Sequence, residues 1–280
     1  MKKILVSGNL CKKKIADSIN GLKPWLDKHV VTEIIDLSKE QPIEKGDADM
    51  IVVFGGDGAI LATCRYLGKS QIPLIGVHMG RFGFLAELVE KDVCTSLEKI
   101  FTGDYRIRKR MLLQCTVDRF GKRISDSTAL NEAVISRSSL SRLISIKLNI
   151  NGEDVATYRA DGLIISTPLG STAHALSAGG PILTPDLNAF IIVPICPHTL
   201  TNRPLVVSGD AKIEMEVLSP LNETGITVDG QIFVGLEAGD KVKVEKSETE
   251  VHMIDIGTRT FYSVLREKLN WGGQPNYGRN

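Results

Sequence analysis

The apolar run Met50-Ile51-Val52-Val53-Phe54 leads straight into Gly55-Gly56-Asp57-Gly58, and a helical stretch, Ala59 to Leu67, follows at once. A buried strand that empties into a glycine turn and then a helix places backbone N–H groups at the mouth of a site. Phosphate binds well there, because a helix N-terminus leaves donors unpaired and carries the positive end of the dipole. Asp57 is the odd member of the loop. A carboxylate repels phosphate, so its presence points to a hydroxyl, a metal ion, or both.

The surrounding hundred residues alternate strand and helix. Strands are expected at Ile4 to Ser7, Thr32 to Leu37, Met50 to Phe54 and Ile72 to Val77. Between the first two, Ile15, Ile19, Leu22, Trp25 and Leu26 recur at helical spacing, with Pro24 expected to end or kink the helix. Such alternation implies parallel βαβ units with right-handed crossovers. Ligands of these sheets sit at the carboxyl ends of strands, where Gly55 to Gly58 lies.

After Tyr105 alternating polarity and turn signals take over. Phe120-Gly121-Lys122 reads as a turn, and Asn151-Gly152 is a strong hairpin signal. Further strands are expected at Leu163 to Ser166, Phe190 to Val193, Lys212 to Val217, Lys241 to Glu245 and His252 to Ile256. The expected architecture is an α/β domain with a parallel sheet over residues 1–105, then a mostly β, sandwich-like domain over 106–257. A last helix within 258–270 is expected to dock back on the first domain.

Bulk properties exclude several classes. The 280 residues are 42% hydrophobic and 24% charged, the balance of a soluble globular protein. A net charge of +1 gives no reason to expect nucleic acid or an anionic membrane as partner. No apolar run approaches the roughly 20 residues of a membrane helix. Met1 to Gly8 reads as a first strand rather than a signal peptide. Five widely spaced cysteines without a C-x-x-C pair argue against a disulfide framework or zinc site and fit a reducing cytoplasm.

Three further segments carry chemistry. In Asp161 through Pro181 a short apolar strand again meets a turn and a helix start, where Ser171 and Thr172 are good N-cap types. Small residues through Ser177-Ala178-Gly179-Gly180 let a flat ligand approach the backbone, although an ordinary β-to-α connection has the same composition. Asn131-Glu132 can receive two vicinal hydroxyls, as a sugar offers, or can be a solvated strand end. Arg142 and Arg159 suit a diphosphate, and equally suit the surface. His198 reads as structural. There is no serine or cysteine triad spacing, no Walker lysine after the loop, and no G-x-G-x-x-G.

Taken in order, these segments resemble the NAD kinase family. The resemblance is carried by Gly55-Gly56-Asp57-Gly58, Gly80-Arg81-Phe82-Gly83-Phe84-Leu85, Asn131-Glu132 and Asp161 through Pro181. Cys196 to Leu200 with Arg203-Pro204, Val228-Asp229-Gly230-Gln231 and Leu265 to Leu269 add to it. It implies the two-domain NAD kinase fold and transfer of a phosphoryl group from ATP or polyphosphate to the 2′-hydroxyl of the adenosine ribose of NAD. By the same likeness Asp57 accepts the proton and Gly55, Gly56 and Gly58 form the phosphate loop. Asn131 and Glu132 hold NAD; Thr172, Ala173, His174, Ala175, Leu176 and Ser177 wrap it; Arg142, Arg159, Asp161 and Gln231 add polar contacts. Mg²⁺ or another divalent ion is implied, with no protein ligand named, and so is a homodimer or tetramer.

Two positions depart from the family pattern. His174 stands where a stacking tyrosine is usual, and His78 where asparagine is common. Imidazole stacks with less area and changes charge near neutral pH, so weaker or pH-sensitive NAD binding is expected. Two alternatives share the loop: a lipid or sugar kinase, which leaves Asp161 to Pro181 unexplained, and a non-catalytic dinucleotide sensor, which has no use for Asp57.

Overall fold

The computed structural model describes residues 2–80, 83–137, 143–199, 201–219 and 224–270. Arg142, and the motif members Arg81, Phe82 and Leu200, lie outside the described residues. The first region runs β1 (Lys3–Gly8), α1 (Lys13–Leu26), β2 (Val31–Asp36), β3 (Met50–Phe54), α2 (Asp57–Leu67), β4 (Leu74–His78), β5 (Leu88–Val89) and α3 (Val93–Phe101). β1 pairs in parallel with β2 and β3, and β3 in parallel with β4. Met50, Val52 and Phe54 face α1 and α3, whereas Ile51 and Val53 face α2. Every residue of β3 is therefore buried, as parallel strands covered on both faces require.

Pro24 does not end α1, which continues to Leu26. The ring removes one helical hydrogen bond, a cost of about 3 kcal/mol. Ile15, Ile19, Leu22 and Leu26 are all buried on one stripe, and at about 1.5–3 kcal/mol per buried aliphatic side chain that stripe outweighs the loss.

The second region begins with the β6 (Arg106–Arg119) and β7 (Lys122–Ala129) hairpin, then β8 (Glu132–Arg137), β9 (Ile144–Ile150), β10 (Glu153–Ala160) and β11 (Gly162–Ser166). After α4 (His174–Ser177) come β12 (Ala189–Ile195), β13 (Leu205–Ser208), β14 (Ile213–Ser219), β15 (Thr224–Val228), β16 (Ile232–Gly235) and β17 (Lys241–Asp255), and last α5 (Phe261–Leu269). Phe120-Gly121 and Asn151-Gly152 both take positive φ, 48° and 79° in the first turn and 55° and 88° in the second. Those values suit the two-residue hairpin turns read from the sequence. The two strands expected at Lys241 to Glu245 and His252 to Ile256 are instead one, β17, fifteen residues long. The polar residues between them are absorbed as a register shift between Lys246 and Glu250 against β6, a bulge rather than a loop.

Two sheets result. One has eleven strands and follows the order β10-β9-β14-β17-β4-β3-β1-β2, with β6 and β7 joined at β17 and β5 at β4. The other has six antiparallel strands, β13-β12-β11-β8-β15-β16. Ile146, Leu148, Met215 and Val242 of the first meet Leu163, Ile165, Phe190 and Ile226 of the second in one core, all fully buried. The β region is thus a sandwich whose larger sheet runs on into the parallel strands, through Met253 of β17 beside Leu74 of β4.

α5 is fixed at its start by a reciprocal pair: Thr260 accepts from the Ser263 N–H, and Ser263 accepts from the Thr260 N–H. The Thr258 hydroxyl donates to Glu87 at 2.9 Å. Phe261, Tyr262 and Val264 line a cavity of about 340 Å³ together with Leu74, Phe84 and Leu85, so the helix lies against the first region. Thr260→Ala should lower stability by about 1 kcal/mol, read as a shifted urea midpoint, and Thr260→Ser should restore it.

Candidate active site

β3 is followed by Gly55, whose φ of +155° admits no ordinary side chain without strain. A Cβ there would also lie 2.5 Å from Cβ of Ala59, so glycine lets α2 start directly at the strand end. The Gly55 N–H donates to the Val77 carbonyl of β4, at 2.9 Å. Gly56 is the N-cap of α2, with no side-chain cap bond. Gly56 and Gly58 are exposed, and a Cβ on either would meet nothing within 4 Å. Their bareness leaves room above the first-turn N–H groups, where an anion is favoured.

Asp57, half-buried in that first turn, turns its carboxylate sideways. One oxygen accepts from the Phe84 N–H at 2.9 Å and the other from the Leu85 N–H at 3.1 Å. Gly83 makes this approach possible: a Cβ there would sit 2.0 Å from a carboxylate oxygen of Asp57. The segment Gly83 to Leu85 is therefore a cradle for one side chain. His78, at the end of β4, has its Nδ1 3.0 Å from the Gly80 carbonyl.

Asn131 and Glu132 precede and open β8, and both are buried, at 9% and 8% exposure. Their backbone is pinned by Asp229 in the β15–β16 turn. Its carboxylate accepts from the N–H groups of Leu130 (2.8 Å), Asn131 (2.8 Å) and Glu132 (3.0 Å). The Asp229 N–H donates back to the Glu132 carbonyl at 2.9 Å. The side chains above this frame are incomplete: Asn131 Oδ1 and Glu132 Oε2 are buried with no hydrogen-bond partner among the described residues. Buried polar atoms are rarely left so, and two of them side by side suit a polar ligand or water as partner. Burial first, then the Asp229 charge, pushes the Glu132 carboxyl up to about 8. Burial raises Asp229 too, while its three backbone donors pull it back.

β11 brings the second long motif to the same place. The Thr167 hydroxyl donates to the Leu130 carbonyl (2.6 Å), and the Thr167 N–H and Ser166 hydroxyl both donate to the Asn131 carbonyl. Gly170 is forced by this contact, since its Cβ would lie 2.3 Å from the Asn131 oxygen. Ser171 and Thr172 do not cap a helix: they lie in a 3-10 turn, Leu169–Thr172, and the N-cap of α4 is Ala173 with no side-chain bond. Ser171 is buried and bonds the Pro168 carbonyl instead. Thr172, Ala173 and Leu176 are half-buried, and His174 and Ser177 are exposed. The Ala175 side chain is turned into the core beside Ile164 and Val193.

The Asp161 carboxylate pairs with Arg137 at 2.6 Å. The Arg159 side chain is exposed on β10, and its carbonyl accepts from the His198 N–H at 2.9 Å. The Gln231 amide donates to the Gly58 carbonyl at 2.8 Å, so it ties the β15–β16 turn to α2. The loop of Asp57, the Asn131-Glu132 pair and the end of β11 are thereby held in one network. Sequence reasoning named Asp229, Gly83 and Gly170 only as members of the family motifs, without a role, and passed over Arg137. Only Asp229-Gly230 carried a local signal, as a turn dipeptide.

The ATP-NAD kinase N-terminal domain family matches residues 17–105, and the ATP-NAD kinase C-terminal domain family matches residues 130–256. The NAD kinase of Geotalea daltonii is 39% identical over 254 residues, which cover 90% of this chain and 89% of that protein. The chain belongs to the NAD kinase family. Among solved structures, an Archaeoglobus fulgidus NAD kinase in complex with ATP superposes with a TM-score of 0.75 at 29% identity, covering 96% of this chain and 99% of that one. The yeast NADH kinase complexed with NADH gives a TM-score of 0.88 over 100% of this chain and 90% of that one, and at 22% identity it bears on the fold alone. The two-domain NAD kinase fold expected from the sequence is the fold observed.

Within this family fold, Glu132 makes stability depend on pH. Folded, it keeps its proton to about pH 8; unfolded, it gives it up near the ordinary value of 4.5. The folded state therefore holds more protons across that window, and stability falls as pH rises through it. Glu132→Gln should flatten this fall and gain on the order of 1–3 kcal/mol at pH 9 over pH 5, measured by ligand-free thermal unfolding. Gly83→Ala should cost about 1–3 kcal/mol in urea denaturation by displacing the Asp57 carboxylate, whereas Gly80→Ala, with nothing within 4 Å, should cost far less.

Proposed function

We propose that this chain is an NAD kinase that moves the terminal phosphoryl group of ATP to the 2′-hydroxyl of the adenosine ribose of NAD, giving NADP. The observation that carries the reading is the juxtaposition just described. A carboxylate at a phosphate-type loop is tied, through Gln231 and Gly58, to a buried amide–carboxyl pair with two unpartnered oxygens. Asn131 and Glu132 receive NAD's hydroxyl or adenine edges. Thr172, Ala173, His174, Leu176 and Ser177 line the dinucleotide, with Ala175 contributing backbone only. Asp161, Arg159, Arg142 and Gln231 are the remaining polar candidates.

The donor phosphates rest on the N–H groups of Gly56, Asp57 and Gly58; Gly55, expected in the same phosphate loop, is buried with its N–H committed to the Val77 carbonyl and supplies no donor. Asp57 has lone pairs to spare beyond the two amides it accepts from, and one of them takes the proton of the 2′-hydroxyl. That oxygen then bonds to the terminal phosphorus as the bond to the leaving diphosphate breaks. Transfer of this kind depends on position and charge neutralisation more than on covalent help from the protein. Mg²⁺, when bound, would neutralise phosphate charge. Among the described residues no three His, Cys, Asp or Glu side chains converge as a cage for it.

The same reading includes a division into an α/β domain of residues 1–105, a β domain of 106–257 and a returning helix in 258–270. It also includes a cytoplasmic homo-oligomer, and among the described residues no helix is long and apolar enough to cross a membrane. The six-stranded sheet ends in β13 and β16, which expose Leu205 and Val206 at one edge and Phe233 at the other. Apolar edge strands of that sort favour a second copy as cover.

A coupled assay should register NADP from NAD, ATP and Mg²⁺. Asp57→Asn should lose about 10²–10⁴-fold in rate with NAD binding retained by calorimetry. Full activity in that variant would remove Asp57 from the role of base, and absence of NADP from the wild type would return the lipid and sugar kinases to consideration.

A further inference from the structure

The cavity between α5 and the first region, about 340 Å³, shares one wall with the Asp57 cradle and none with Asn131-Glu132 or the β15–β16 turn. Its volume falls at the lower end of small-molecule sites, about 300–1,000 Å³, and far above the space of a single water. The floor is apolar, with Leu74, Leu85, Met253, Phe261 and Val264. Three guanidiniums, of Arg108, Arg110 and Arg259, stand in the wall with three carboxyls, of Glu87, Asp186 and Asp255. We propose that this cavity is a second ligand site, for a small carboxylate with an apolar or aromatic body, and that its occupant acts on the Asp57 cradle. The binding stands on the cavity alone; the effect on turnover rests on the NAD kinase reading above.

Arg110 selects the head group. Its side chain is 9% exposed, whereas its counter-ion Asp186 is 67% exposed. Among the described residues its bonds run through Nη1 alone, to Asp186 and to the Lys109 carbonyl at 3.2 Å. The Nε–Nη2 edge, the fork that a carboxylate meets with two parallel bonds, is left over. Donors so nearly buried call for a partner. The neighbouring guanidiniums are already committed. Arg108 donates to Asp255, whose other oxygen accepts from the Gly257 N–H at 2.7 Å, and Arg259 pairs with Glu267 at 2.8 Å. The floor takes the body of the ligand, whose apolar surface leaves water there. Phe84 and Leu85 belong to this wall, and their N–H groups hold the Asp57 oxygens at 2.9 and 3.1 Å. Those bonds are already near their best length, so an occupant that presses on the two residues lengthens them. A displaced base slows phosphoryl transfer. Occupancy therefore lowers kcat.

Phenylacetate is the probe and phenylacetamide its uncharged control, with binding to the full chain read by saturation-transfer NMR. Phenylacetate should bind with a Kd of about 1 mM, as its few atoms permit, and phenylacetamide about tenfold more weakly. Arg110→Lys keeps the charge but loses the fork, and should weaken phenylacetate about tenfold. No saturable binding of phenylacetate by about 10 mM, equal binding of the amide, or equal binding in Arg110→Lys overturns the site. Should that variant fail to fold, Val264→Phe, which narrows the cavity from α5, should weaken the probe to a similar degree, and unchanged affinity there overturns the site equally. In the coupled assay, saturating phenylacetate should lower kcat about threefold or more, with KM for NAD within about twofold. A raised KM with kcat unchanged would put the probe in the dinucleotide site and overturn the proposal, and unchanged kinetics would overturn the link to Asp57. A wild-type protein that makes no NADP defeats the kinase reading instead, and the NMR titration still judges the cavity.

Discussion

The structure depends on one shared sheet. β17 pairs with β6 along its length, with β14 over Lys241 to Val244, and meets β4 near its end, so the parallel strands of the first region and the larger sheet of the sandwich form a single hydrogen-bonded surface. Side-chain burial then fixes everything around it. α1 and α3 cover one face of the parallel strands and α2 the other, while the six-stranded sheet covers the β region. The carboxyl end of β3, the start of β8 and the end of β11 come together because these layers leave them no other place.

Within that frame the site is assembled by backbone groups more than by side chains meeting side chains. Asp57 is held by two amides and Asp229 holds three. Main-chain donors cannot change rotamer, so a carboxylate that binds them is oriented by the fold itself. This is the economical way to fix a group within the tolerance that phosphoryl transfer demands.

How much was legible follows from how far each determinant lies from what it determines. β3, the glycine loop and α2 were readable because strand periodicity, punctuation and helix start are contiguous. The Asn151-Gly152 hairpin was readable for the same reason. Asp229 was not: its partner Asn131 is 98 residues away, and a carboxylate in a turn dipeptide looks like ordinary turn chemistry. Gly83 and Gly170 looked like motif members without a reason, because the atoms that exclude a Cβ there, in Asp57 and Asn131, arrive only on folding. β17 was split in two because a bulge between Lys246 and Glu250 hides polar residues inside a strand. Pro24 does not end α1, because the buried stripe of that helix runs on to Leu26.

The glycines of the site divide into two kinds. Gly55, Gly83 and Gly170 are crowded by Ala59, Asp57 and Asn131, so enlarging any of them damages the protein itself. Gly56 and Gly58 face open space, and on the proposed reading the volume above them belongs to the donor phosphates. A Cβ added there meets no protein atom within 4 Å, so on that reading it obstructs the substrate more than it disturbs the packing. Selection or engineering guided by thermostability is therefore blind at these two positions, and only an assay that includes the ligand can see them.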